Sequence, residues 1–256
     1  MTKTVLITGA TSGIGLAFCK EFSKRGHNII LVSRSLNKLE TVSKELRENY
    51  KVKTFIFAKD LAAVNAAPEL YKKIKESNLD VDILVNNAAF SNTGLLTSIP
   101  IVKMNEELSL NIISLTNLIH LILQDMQAKK NGVIINLASV ASFYPAPYES
   151  VYAATKAYVL SLSEALHYEY KELGVRVLAV CPGYTETSFF DGRKIPYSRA
   201  RTAEMVVNTT MNALNTNRSH VVDGFKNKLE SKTPRFLSRK TMLEITGKSG
   251  KKTWGN

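Results

Sequence analysis

The sequence predicts an α/β protein built on a single doubly wound parallel β-sheet with helices on both faces. Three observations predict it. Short β-branched runs alternate with amphipathic segments along the chain, and strand alternating with helix implies parallel strands joined by right-handed crossovers. The strand-like runs are nearly continuous in apolar residues, as strands buried on both faces should be. A glycine-rich segment follows the first of these runs immediately.

The strand-like runs are, in order, Thr4–Thr8, Asn28–Ser33, Lys53–Ala58, Val81–Asn86, Val133–Ala138 and Val175–Cys181. Between the first two, Ile14, Phe18 and Phe22 recur at helical spacing, and after the second Leu36, Leu39, Val42 and Leu46 do the same. The longest apolar stretch, Ile112–Leu123, is interrupted by Ser114, Thr116, Asn117 and His120. It falls short of the ~18 residues that a membrane span needs and reads as a buried helix. No linker rich in Pro, Gly and Ser divides the chain, so residues 1–224 read as one domain. Beyond Gly224 the pattern becomes Lys-rich and weakly amphipathic, with Pro234, Gly247 and Gly250. Residues 225–256 therefore read as a basic appendage.

With 256 residues, 45% of them hydrophobic and 22% charged, the chain can bury a sizeable core, which excludes disorder and a disulfide-stapled miniprotein. Its net charge is +12, and much of the excess lies after Arg218. No nucleic-acid-binding module accompanies that charge, so no nucleic-acid partner is expected. Cys19 and Cys181 are far apart, and His27, His120, His167 and His220 show no ligand spacing; reduced thiols and no metal site are expected. Cys19, among Phe18 and Phe22, reads as a small buried apolar residue, and His120 as a core or interface histidine. The start of the chain has no room for a charged and then apolar leader before Val5–Ile7. A cytoplasmic location is the expectation.

The segment Thr8-Gly9-Ala10-Thr11-Ser12-Gly13-Ile14-Gly15 joins the first strand to a helix. Glycines there let backbone N–H groups and the helix N-terminus approach a pyrophosphate. A glycine cluster alone also fits a tight turn with no ligand; the strand before it and the helix after it favour a dinucleotide. At the end of the second strand an acidic residue would bond a ribose 2′-hydroxyl. The chain instead has Ser33 and Arg34, which suit a 2′-phosphate. The expected cofactor is NADP(H), with Thr11 and Ser12 of the turn assisting at the phosphate.

Tyr152 and Lys156 stand four residues apart, on one face of a predicted helix. A phenol, with a reference pKa near ~10, is a sluggish proton shuttle at neutral pH unless a nearby ammonium favours its anion. Ser139 lies thirteen residues before Tyr152, at the carboxyl end of the fifth strand, the edge where open α/β sheets bind ligands.

Taken together these residues resemble the short-chain dehydrogenase/reductase family, over nearly everything up to Gly224. The matching elements are Thr8-Gly9-x-x-x-Gly13-Ile14-Gly15, Asp60-Leu61, Asn86-Asn87-Ala88-Ala89, Asn111, Ser139, Tyr152 with Lys156, and Pro182-Gly183 with Thr187. The resemblance implies a Rossmann-like fold and the reduction of a carbonyl, or oxidation of an alcohol, on a small molecule. It implies that Tyr152 is the general acid, that Ser139 holds the substrate oxygen, and that Lys156 binds the nicotinamide ribose while lowering the Tyr152 pKa. Asn111 would support a water-linked proton path to Lys156. Asp60 would bond the adenine, Asn87 would sit on the adenosine side, and Thr185 and Thr187 would hold the carboxamide. Ala89 departs from the family's usual glycine, which would matter if its φ had to be positive.

Residues 188–201 read as a lid, with Phe189, Phe190, Pro196 and Tyr197 suiting an apolar body and Arg193, Lys194, Arg199 and Arg201 an acidic group. Phe143, Tyr144, Pro145 and Pro147 read as the opposite wall. A ketone or aldehyde on an apolar or acyl-like molecule is the expected substrate, and a homo-oligomer the expected assembly. The basic tail reads first as a solvated or oligomer-contacting extension, and alternatively as a weak membrane-surface contact. A redox-inactive NADP-binding sensor or scaffold on the same fold is the competing function, against which the complete set of Asn, Ser, Tyr and Lys argues. Epimerisation or dehydration is a third.

Overall fold

The computed structural model describes residues 2–190 and 200–254. Strands β1 (Thr4–Thr8), β2 (Asn28–Ser33), β3 (Thr54–Ala58), β4 (Ile83–Asn86), β5 (Gly132–Leu137), β6 (Val175–Cys181) and β7 (His220–Val222) form one parallel sheet. Their spatial order is β3-β2-β1-β4-β5-β6-β7. The chain's progress across the sheet reverses between β1 and β4, and a crevice opens above the carboxyl ends of the strands at such a switch point.

Alternate residues of each strand enter opposite layers, as the two-residue period requires. Val5 and Ile7 of β1 pack with Phe18, Leu39 and Val206, which belong to α1 (Gly13–Lys24), α2 (Leu36–Tyr50) and α7 (Ala203–Leu214). Leu6 faces the other way, towards Leu70, Ile119 and Val159 of α3 (Ala66–Glu76), α5 (Leu115–Lys129) and α6 (Ser150–Tyr170). The expected strands are present with ends shifted by at most two residues. β7 was not foreseen, because three residues are too few to show a period. It is held by Asp223, fully buried, whose carboxylate accepts from Arg201 Nε and Thr209 Oγ1, each at 2.6 Å.

The segment expected as a buried helix is only half buried. Helix α4 (Ile101–Leu108) runs into α5 through a π-helical turn, Ser109–Ser114. The extra residue in that turn rotates Asn111 and Ser114 into the interior and leaves Ile113 outside. Leu115, Leu118, Ile119, Ile122, Leu123 and Met126 form the packed face of α5. His120 lies on the solvent side, bonded to Gln124 at 2.9 Å, rather than in the core. Among the described residues no helix is long and apolar enough to cross a membrane. Cys19 and Cys181 are free and buried, and burial pushes both thiols up.

The tail is not an appendage. Helices α8 (Phe225–Glu230) and α9 (Arg239–Trp254) fold back over the carboxyl edge of the sheet, burying Met242 and Trp254. Gly250 allows this close approach, because a Cβ there would be driven into the Pro147 carbonyl.

Candidate active site

A cleft of about 1270 Å³ runs along the carboxyl edge of the sheet. One end is the turn between β1 and α1. Gly9 and Gly13 have φ of +66° and +52°. A Cβ on Gly13 would come within 2.8 Å of Thr187 Cγ2, and one on Gly15 would collide with the Gly9 carbonyl. Backbone cannot yield as a side chain can, so Gly15→Ala is expected to lower stability by about 1–3 kcal/mol, read as a reduced denaturation midpoint. Thr8 Oγ1 accepts from the backbone N–H of Asn87 and Ala88 at 3.0 and 2.9 Å. Asn87 Nδ2 donates back to Thr8 O at 2.9 Å and to Gly9 O at 3.3 Å. Asn87, expected beside the adenosine, thus also shapes the glycine turn. Ala89 does not adopt a positive φ, so its Cβ adds no strain.

Thr11, Ser12, Ser33, Arg34, Asp60 and Leu61 line the same end of the cleft. Arg34 is exposed and makes no ion pair among the described residues. Ser33 Oγ is buried with no hydrogen-bond partner there, an arrangement that costs free energy unless something fills it. An orphaned hydroxyl, an uncommitted guanidinium and a glycine cradle at a helix N-terminus together fit a dinucleotide. The sequence reading overlooked Lys38, one turn into α2, which lines this end too. Its place in the first turn of the helix that follows Arg34 was the available signal. Asp60 Oδ1 accepts from Ala62 N at 3.0 Å, which fixes the turn that carries Leu61.

At the centre of the cleft are Ser139, Tyr152 and Lys156. Ser139 caps the 3₁₀ turn Val140–Phe143, its Oγ accepting from Ala141 N at 3.2 Å. Ser142, not singled out by the sequence reading, ties this turn to α6: its Oγ accepts from Ser139 N at 3.2 Å and donates to Lys156 O at 2.8 Å. Tyr152 sits in the first turn of α6. The buried ammonium of Lys156 lies 5.6 Å from its ring centroid and donates to Leu137 O at 2.7 Å. Burial lowers Lys156 to about 8, against smaller opposing effects of Cys181 and Glu107. Asn111, expected on a proton path, is buried and does not line the cleft. It clamps Phe90 through both backbone groups, at 3.3 and 2.9 Å, and donates to Thr155 Oγ1 at 3.2 Å. What it shows directly is positioning: it fastens the chain after β4 to the helix that carries Tyr152.

Pro182, Gly183, Thr185 and Thr187 line the cleft beyond β6. Thr185 Oγ1 donates to Gly183 O at 3.1 Å and Thr187 Oγ1 accepts from Phe189 N at 3.3 Å. Phe189 lies against Tyr152, ring centroids 5.7 Å apart, so the start of the expected lid touches that tyrosine. Pro196, Tyr197, Arg193, Lys194 and Arg199 lie outside the described residues, as does the side chain of Phe190. Arg201, expected as a lid cation, is instead the anchor of Asp223. On the opposite wall Tyr144 and Pro147 face the cleft, whereas Phe143 turns inward against His220. The Tyr144 hydroxyl donates to Glu230 at 2.5 Å, and burial, then the carboxylate, pushes that phenol up. The remaining wall is the tail: Asn227, Leu229, Met242, Thr246, Ser249 and Trp254. The recurrence of Met242, Thr246 and Ser249 at helical spacing was the one sequence signal for this wall. Among the described residues no cluster suits a metal ion.

The glycine cradle at one end of the cleft and the Ser, Tyr and Lys at its centre define an oxidoreductase, and residues 3–195 match the family model described as short chain dehydrogenase. The chain belongs to that family. It is 36% identical over 196 residues to "Very-long-chain 3-oxoacyl-CoA reductase-B" of Danio rerio, covering 75% of this chain and 62% of that protein. It is 32% identical over 247 residues to "Very-long-chain 3-oxoacyl-CoA reductase" of Rattus norvegicus, covering 93% and 78%. The match to the Danio rerio protein thus spans about three fifths of its length. Among solved structures, one described in work on 7beta-hydroxysteroid dehydrogenase stereoselectivity superposes with a TM-score of 0.88 at 25% identity, covering 96% of each chain. A short-chain dehydrogenase from Sphingobium yanoikuyae in complex with NADPH superposes at 0.81 with 26% identity, covering 97% and 94%.

Proposed function

We propose that this chain is an NADPH-dependent reductase acting on the carbonyl of an apolar or acyl-like molecule. The observation that carries the reading is the continuity of one cleft: phosphate cradle, then Ser139, Tyr152 and Lys156, then a wall of apolar side chains. The names of the two reductase relatives and of the NADPH complex support it. The dinucleotide, when bound, supplies a hydride. The chain's own residues do the rest. Ser139 donates a hydrogen bond to the carbonyl oxygen, and Tyr152 gives that oxygen its proton as negative charge develops there. The Lys156 ammonium stabilises the phenolate that remains, and Ser142 and Asn111 hold the two segments in register. Buried free thiols suit a reducing compartment.

NADPH consumption against a panel of 3-oxoacyl thioesters, bulky ketones and aldehydes tests the reading; binding of NADPH without turnover of any of them would return the sensor alternative. Cofactor choice has its own test. Hydrogen bonds to a charged partner contribute about 1.5–3 kcal/mol, so Arg34→Ala should weaken NADPH roughly tenfold to a hundredfold. NADH should barely respond. Adding Ser33→Asp places a carboxylate near the ribose and should turn the preference to NADH. Values of kcat/KM for both cofactors decide this, and a wild type that favours NADH overturns it.

A further inference from the structure

The outer surface of the folded-back tail sets large exposed apolar side chains among many cations. Phe225, Leu229, Phe236, Leu237, Leu243 and Ile245 are exposed, Phe225 and Phe236 by more than four fifths. In residues 225–254 nine Lys and Arg side chains are exposed and Glu244 is the single exposed carboxylate, since Glu230 is tied to Tyr144. A surface this apolar is uncommon on a soluble domain unless something covers it.

Four of these apolar residues, Phe225, Leu229, Leu237 and Ile245, also line the cleft. The apolar surface and the apolar interior of the site are therefore continuous. A second patch, Leu95, Leu96, Ile101 and Val102, is exposed close by. It is linked to the tail through the Pro147–Tyr148 corner: Gly94 N donates to Tyr148 O at 2.8 Å, and Gly250 packs against Pro147.

We propose that this rim docks on an anionic lipid bilayer, and that an apolar substrate passes from the bilayer into the cleft across it. Cations flanking large apolar side chains are the composition of an interfacial surface element, in which the apolar groups enter the headgroup boundary and the cations meet acidic lipids. Nucleic acid would satisfy the cations and leave the phenylalanines and leucines wet. The passage of substrate rests on the reductase reading; the docking does not.

The test uses the full chain and sedimentation with vesicles of phosphatidylcholine containing about 30% phosphatidylserine, set beside pure phosphatidylcholine. Wild type should bind the anionic vesicles and be released by high salt. A variant carrying Arg235→Gln, Phe236→Ser, Arg239→Gln and Lys240→Gln, none of which lines the cleft, should bind at least roughly a hundredfold more weakly. It should turn over a water-soluble ketone as wild type does, and a vesicle-embedded one much more slowly. Docking is overturned if wild type binds neither vesicle, if the variant binds anionic vesicles as wild type does, or if the same substitutions instead dissociate a dimer of this chain. Loss of all NADPH consumption, with vesicle binding intact, would sink the reductase reading and leave docking standing.

Discussion

Tyr152→Phe is expected to lower kcat by about a hundredfold to ten-thousandfold, the usual worth of a positioned proton donor. The substitution removes one oxygen from the first turn of α6 and leaves the ring against Phe189. NADPH affinity should stay close to that of wild type, because in the proposed mechanism the phenol acts on the substrate oxygen. Single-turnover rates and cofactor titration separate the two effects, and retention of more than a tenth of kcat would remove Tyr152 from the chemistry.

Lys156→Met is expected to damage turnover by a comparable factor and to weaken NADPH as well, on the proposed roles in which one ammonium serves both ribose and phenol. It also carries a pH signature. Burial holds Lys156 at about 8, so reduction by wild type should decline as pH rises through that value and the ammonium is lost. The variant should have no such limb. Stability should move the opposite way. Between pH 8 and 10.5, the folded and reference values, the unfolded chain holds a proton that the folded chain has released, so wild-type stability rises with pH across that window. Below it both states are protonated, and the buried charge costs about 3 kcal/mol. Lys156→Met should therefore be more stable than wild type at pH 7, by up to that amount, with the advantage fading by pH 10.5. Denaturant midpoints at three pH values read it. A variant that loses NADPH affinity but is no more stable would mean that the ammonium is better solvated than its burial implies.

The glycine turn, the first six strands and the Tyr152–Lys156 pair were legible in the sequence because each is a local pattern. A continuous β-branched apolar run, a 3.6-residue apolar period, or a pair four apart on a helix, is written within a dozen residues and needs no partner elsewhere. Arg34 was legible for a related reason: its place at the end of β2 follows from the strand itself. Asn111, Asp60 and the threonines after β6 were assigned only through family resemblance, and for Asn111 the structure shows a clamp on Phe90 and Thr155.

Tertiary structure alone decided the half of the cleft that the tail helps to line. Tyr144 meets Glu230 across 86 positions of chain, Asp223 chooses Arg201 as its partner, and Ser142 binds a carbonyl of the helix after it. The tail showed only scattered apolar residues among lysines, because one face of α9 packs on the Pro147 corner and the other remains outside. Contacts between distant segments depend on how whole layers stack, and stacking leaves no period in the chain. The sequence by itself thus determined a parallel sheet with a glycine turn at its first strand and a Tyr–Lys pair on one helix face; which surfaces line the rest of the cleft was decided when α8 and α9 folded back over the carboxyl edge.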